Sequence, residues 1–229
     1  MSRTKIDDRK LPRYTHSEEI FNTVSHIVGG SFGIIVLVLC TTFAALYGNW
    51  WGLFSGLFYG MTMIFLYTMS SVYHGLKRSR AKRIMQVIDH CSIFALIAGT
   101  YAPVLCTGLR EYNTALAGGI ATLVAAGTAI GVTFTAIDFK KYAVISYASY
   151  FIIGWSMIFS IKEVYRAFGP EFVVWLVLGG AVYTLGMIFF GLSAKNPKDH
   201  EYCHGVFHLF ILAGSVLQFV GIFKFCICR

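Results

Sequence analysis

Uncharged apolar runs alternate with short charged or glycine-bearing breaks along almost the whole chain. From Ile20 to Leu76 no Asp, Glu, Lys or Arg occurs. A helix needs about 20 residues to cross a bilayer core, so this block must cross twice. Tyr47-Gly48-Asn49-Trp50-Trp51 divides it, combining a turn signal with interfacial aromatics. The expected spans are 20–46 and 50–75, then 84–106 after the basic loop Lys77–Arg83, with Pro103 near the far end. Further uncharged runs predict spans at 113–136, 142–161, 171–192 and 198–224. For the last, Asn196 and Pro197 read as helix cap and first residue, with Asp199 in the first turn. The pattern predicts an all-α integral membrane bundle of seven helices. Residues 1–19 form a short cytoplasmic tail, and 20–229 the transmembrane domain.

Composition sharpens this picture. Of the 229 residues 56% are hydrophobic and 13% charged, about half the charged share of a soluble domain. The formal net charge of +8 would suggest nucleic acid in a soluble protein. Here its distribution points to the bilayer instead. With seven spans, 14 basic residues fall on the N-terminal side and 5 on the other, so the positive-inside rule places the N-terminus in the cytoplasm and the C-terminus outside. The first apolar run exceeds a signal-peptide core and shows no small-residue cleavage pattern, so the first helix is expected to be retained. Six scattered cysteines, mostly inside apolar runs, form neither a disulfide framework nor a metal-ligand spacing. Glycines four apart, such as Gly52/Gly56/Gly60, fit close helix packing within one bundle as well as dimerisation, and leave the oligomeric state open.

The candidate chemistry sits at one end of the bundle. Apart from His16 in the tail, the histidines (His26, His74, His90, His200, His204 and His208) fall at the predicted cytoplasmic ends of four spans. His204 and His208 share one helical stripe, Ser70 and His74 share another, and Asp89-His90 opens the third span. Ionisable groups at the mouth of a membrane span are costly, which marks them as functional candidates. Three neutral imidazoles suit a tetrahedral zinc with one open position, where water is acidified to a pKa of about 7. His74, His204 and His208 are the expected ligands. Asp89 would hold or deprotonate the water or orient a ligand, and Ser70 would donate a hydrogen bond beside it. His26 and His90 are secondary candidates. Spacing alone leaves this site level with simple helix-end packing.

The ordered pattern Asn22-x-x-Ser25-His26, Ser70-x-x-x-His74, Asp89-His90, Gly99-Thr100-Tyr101-Ala102-Pro103 and His204-x-x-x-His208 resembles the hemolysin III family. That is the bacterial branch of the progestin and adiponectin receptor group, related to alkaline ceramidases. The resemblance implies a multi-pass protein of the bacterial inner membrane, with zinc on the histidines matching His74, His204 and His208. It also implies that Asp89 contacts the metal-bound water and that Ser70 lies beside it. The short tail gives no support for the hormone or adaptor partners of the adiponectin receptors. The leading expectation is a zinc-dependent hydrolase of lipid amide or ester bonds, its substrate reaching the site sideways from the cytoplasmic leaflet. The alternatives are a pore-forming cytolysin and a receptor or sensor with structural zinc. No nucleic-acid partner is expected.

Overall fold

The structure, a computed structural model, describes residues 4–195 and 201–229. Seven helices are long and apolar enough to cross a membrane, and no strand occurs among the described residues. They are α1 (His16–Leu46), α2 (Trp50–Gly75), α3 (Arg80–Tyr112), α4 (Thr114–Asp138), α5 (Ala143–Phe168), α6 (Pro170–Lys195) and α7 (Cys203–Ile227). Large apolar side chains such as Ile34, Phe54 and Ile188 face outward, whereas Ser92, Thr135, Ser146 and Ser215 are buried. In lipid, exposed hydrocarbon is not penalised, while polar groups must find partners inside the bundle.

Side-chain caps set several boundaries. Thr15 and Glu18 form a reciprocal capping box, so α1 begins at His16 and takes in the last residues of the expected tail. Asn49, Ser79 and Asn113 cap α2, α3 and α4 by accepting from the backbone N–H three residues on. α3 therefore starts four residues before the expected Ile84. It also runs past Pro103, through a π turn at Leu105–Leu109, to Tyr112. α5 extends beyond the expected Ile161 to Phe168 and is broken by a 3-10 turn at Ser156–Ser160. The Tyr101 hydroxyl bridges that break, donating to Ile153 O at 2.7 Å and accepting from Met157 N at 3.1 Å. α7 opens at Cys203, behind Tyr202 at φ 59°, and not near 198. Asn196, Pro197 and Asp199, the expected start signal, lie outside the described residues.

The helices form a ring in which α1 packs on α2 and α7, α2 on α3, α3 on α4, α4 on α5, and α6 on α7. The α5–α6 seam is different. Close backbone approach there is concentrated at Ile161–Phe168. Toward the histidine end, side chains join the two helices: Trp155 Nε1 donates to Thr184 Oγ1 at 3.0 Å, and Tyr147 meets Phe190 edge-on. The splay leaves a cavity of about 180 Å³ inside the ring.

The α1–α2 contact is the most extensive. A Cβ on Gly60 would stand 2.6 Å from the Leu37 Cα, which is backbone and cannot swing aside. Gly60→Ala is therefore expected to destabilise the bundle by about 1–3 kcal/mol, the usual cost of overpacking. A lower unfolding temperature in detergent would register it; an unchanged one would mean that α1 and α2 can separate freely.

Candidate metal centre

His74 ends α2, and His204 and His208 occupy the first two turns of α7. Helix 7 supplies both because residues four apart lie on one stripe. One ligating atom from each of the three falls within 4.8 Å of the others. His74 Nε2 and His204 Nε2 are 3.3 Å apart, and all three side chains are buried, at 2%, 6% and 2% exposure respectively.

The α1 face fixes two of these rings. The Glu19 carboxylate accepts from His74 Nδ1 at 2.7 Å, while its other oxygen takes the Lys82 ammonium at 2.6 Å. Lys82 also donates to the carbonyls of His74 and Leu76, closing a loop around the end of α2. Asn22 Nδ2 stands 3.4 Å from the same His74 nitrogen, but cannot donate to a nitrogen that carries a proton. The shorter carboxylate contact therefore sets the tautomer, with Nδ1 protonated and the Nε2 lone pair facing the other histidines. His208 Nδ1 lies 3.3 Å from Asn22 O and 3.2 Å from Ser25 Oγ, which itself donates to Asn22 O. Donation to that carbonyl leaves His208 Nε2 free in the same sense. Imidazoles oriented in this way through their second nitrogen are characteristic of metal-binding histidines.

The polar segment before α1 covers this centre. Arg9 reaches the carbonyls of Ala136 and Ile137 at the end of α4, Arg83 donates to Arg9 O, and Arg78 donates to Pro12 O. Behind this strap the Tyr14 ring stacks on His204, with centroids 5.1 Å apart and planes at 29°. Burial holds the Tyr14 phenol well above its usual pKa, so its hydroxyl stays protonated. Glu18 accepts from Tyr202 N at 3.0 Å, joining the start of α1 to the start of α7.

The remaining residues singled out in the sequence stand around the cluster. Ser70, Asp89, His26 and His90 line the central cavity together with His204 and His208. Asp89 is not among the grouped ligating atoms. The Ser70 hydroxyl is buried beside the Asp89 carboxylate. His90 donates through Nδ1 to Gln86 O at 2.7 Å and packs against Phe139. His16 is exposed at the start of α1, and His200 lies outside the described residues. Sequence reasoning missed Glu19, Lys82 and Tyr14. Glu19 was legible in part: Glu19, Asn22 and His26 are spaced i, i+3, i+7, which puts the carboxylate on the same face as the polar motif.

Beyond the cluster the cavity is walled by apolar side chains, including Leu66, Ile93, Ile97 and Ile211. It reaches the α5–α6 seam at Phe151, Trp155, Ile158 and Val177. Converging imidazoles at the head of a chamber sized for hydrocarbon combine a polar reaction end with an apolar binding end.

The sequence has relatives among known proteins. The family model described as haemolysin-III related matches residues 14–219. A hemolysin-3 homolog of Bacillus subtilis is 32% identical over 214 residues, covering 93% of this chain and 97% of the relative. Hemolysin-3 of Bacillus cereus is also 32% identical, over 92% of this chain and 93% of its own. The human monocyte to macrophage differentiation factor is 26% identical over 182 residues, 76% of this chain and 71% of that protein.

Proposed function

The chain belongs to the haemolysin-III-related family, and on that premise we propose that it is a membrane-embedded zinc hydrolase of lipid amide or ester bonds. The observation that carries the reading is the three-histidine cluster, with Asp89 outside the ligand group but on the wall of the same apolar cavity. His74, His204 and His208 would hold the metal through their Nε2 atoms. When bound, zinc acidifies water and polarises a carbonyl. A set of three neutral nitrogen ligands suits a site with an open position better than a closed structural one.

The chain's own groups then have definable tasks. Asp89 is an acceptor for a proton at its carboxylate oxygens and can return it to a leaving amine or alkoxide. Ser70, beside Asp89, is a donor toward developing charge on the carbonyl oxygen. The apolar walls bind the acyl chain and exclude bulk water. Access from the bilayer through the α5–α6 seam fits the thin packing there, while the strap before α1 closes the polar end. With the N-terminus in the cytoplasm, that polar end faces the cytoplasmic leaflet. The test is chelator-sensitive release of fatty acid from N-acyl and O-acyl lipids by the reconstituted protein. No release from any of them, with metal bound, would overturn the reading.

Glu19 enters as a positioning residue for His74. Glu19→Gln keeps the size of the side chain but removes the charge that holds Nδ1–H and Lys82. Metal affinity, measured by competition with a chromophoric chelator, is expected to fall about 10–100-fold. Unchanged affinity would mean that Glu19 only anchors Lys82.

The names of the bacterial relatives favour a second reading, membrane lysis. Red-cell lysis by purified Asp89→Asn protein at the parent rate would support it over hydrolysis.

A further inference from the structure

His26 differs from three of the histidines around it. His74, His208 and His90 each place Nδ1 against a carboxylate or a carbonyl. His26 is 3% exposed, yet both of its ring nitrogens are buried without a hydrogen-bond partner among the described residues. Its ring is stacked on His208 with centroids 3.6 Å apart, and Tyr67 stands edge-on to it. Neither neighbour can satisfy it, because the Tyr67 hydroxyl is taken by Ser215 at 2.7 Å and His208 offers only its ring face. Native proteins leave few buried polar atoms unpaired, and an orphaned pair in an apolar interior is costly. His26 is part of the wall of the central cavity, next to the metal-ligand cluster.

The chemistry of the ring narrows the occupant. A neutral imidazole offers one donor and one acceptor, which matches a hydroxyl and mismatches a phosphate, an acceptor alone. Among the described residues no Lys or Arg lines the cavity, so away from the metal an anionic headgroup would meet no counter-charge there. We infer that His26 is a substrate-binding residue that hydrogen-bonds a hydroxyl of an uncharged acyl lipid, next to the bond held at the histidine cluster. This rests on the lipid-hydrolase reading above and adds a selectivity to it: hydroxylated acyl lipids over their deoxy analogues. A site built to pair a hydroxyl rejects the analogue without it, because its own polar group is then left alone.

The test separates binding from turnover. The Asp89→Asn protein, metal-loaded, would be titrated with an N-acyl amino alcohol and with its deoxy analogue, using native mass spectrometry in detergent. The same titration on Asp89→Asn with His26→Phe removes both ring nitrogens, and with His26→Asn restores a donor and an acceptor. The expected result is binding of the hydroxylated lipid about 10–100-fold tighter than the deoxy one. The preference should collapse to near unity in His26→Phe and return in part in His26→Asn, with metal content unchanged in all three. Equal binding of both lipids before His26 is altered would overturn the assignment, and would mean that water satisfies the ring. A preference that survives His26→Phe would overturn it too. Hydroxyl-selective binding by a parent protein that hydrolyses neither lipid would instead remove the hydrolase reading and leave His26 as a lipid-binding residue.

Discussion

Replacing His208 by alanine is expected to empty the metal centre. Mass spectrometry of detergent-purified protein should find about one zinc per parent chain and almost none in His208→Ala. Two imidazoles would remain, on different helices, and each lost ligand costs far more than a lost orienting partner, which itself is worth about 10–100-fold. The fold should tolerate the change. Ser25 Oγ already donates to Asn22 O at 3.0 Å, so that carbonyl keeps a partner once the imidazole is gone. Helical circular dichroism would confirm that α7 still forms. Zinc retained by His208→Ala would place the metal elsewhere. Absence of metal from both proteins after zinc is supplied would return the histidines to helix-end packing.

Asp89→Asn should separate metal binding from chemistry. Asparagine has the size of aspartate but cannot take up a proton in the same way. Asp89 lies on the cavity wall and outside the ligand group, so zinc content should stay at the parent level. Hydrolysis of the acyl lipid should fall about 10²–10⁴-fold, the usual contribution of a positioned acid–base group. Fatty-acid release under single-turnover conditions measures it without interference from slow product release. If zinc is lost together with activity, Asp89 is itself a ligand. If activity survives, the proton goes elsewhere and Asp89 serves only to shape the cavity wall.

The positions of the spans were legible because a bilayer imposes a one-dimensional rule: about 20 uncharged apolar residues per crossing. The same rule misled at the edges. α1 begins at His16 because Thr15 and Glu18 cap each other, although a charge count ends the helix at Ile20. Glu18 and Glu19 can sit in the helix because Tyr202 N, His74 and Lys82 pair with them. α5 looked like one uncharged run to Ile161, and the 3-10 break at Ser156–Ser160 has no composition signal. Its stability comes from Tyr101, on another helix.

Periodicity by itself determined the seven spans and the shared stripe of His204 and His208, because both are properties of a single helix whose residues repeat every 3.6 positions. It could not decide that His74, 130 residues away, brings its Nε2 to within 3.3 Å of His204. Nor could it show that Glu19 and Lys82 hold His74 from behind, or that His26 has no partner among the described residues while His74 and His208 are held through Nδ1. Those facts depend on how far one helix is rotated and shifted against the next. Such offsets are set by close packing, as where Gly60 lets α2 approach the backbone of α1 at Leu37, and they leave no trace in the spacing of residues along either helix.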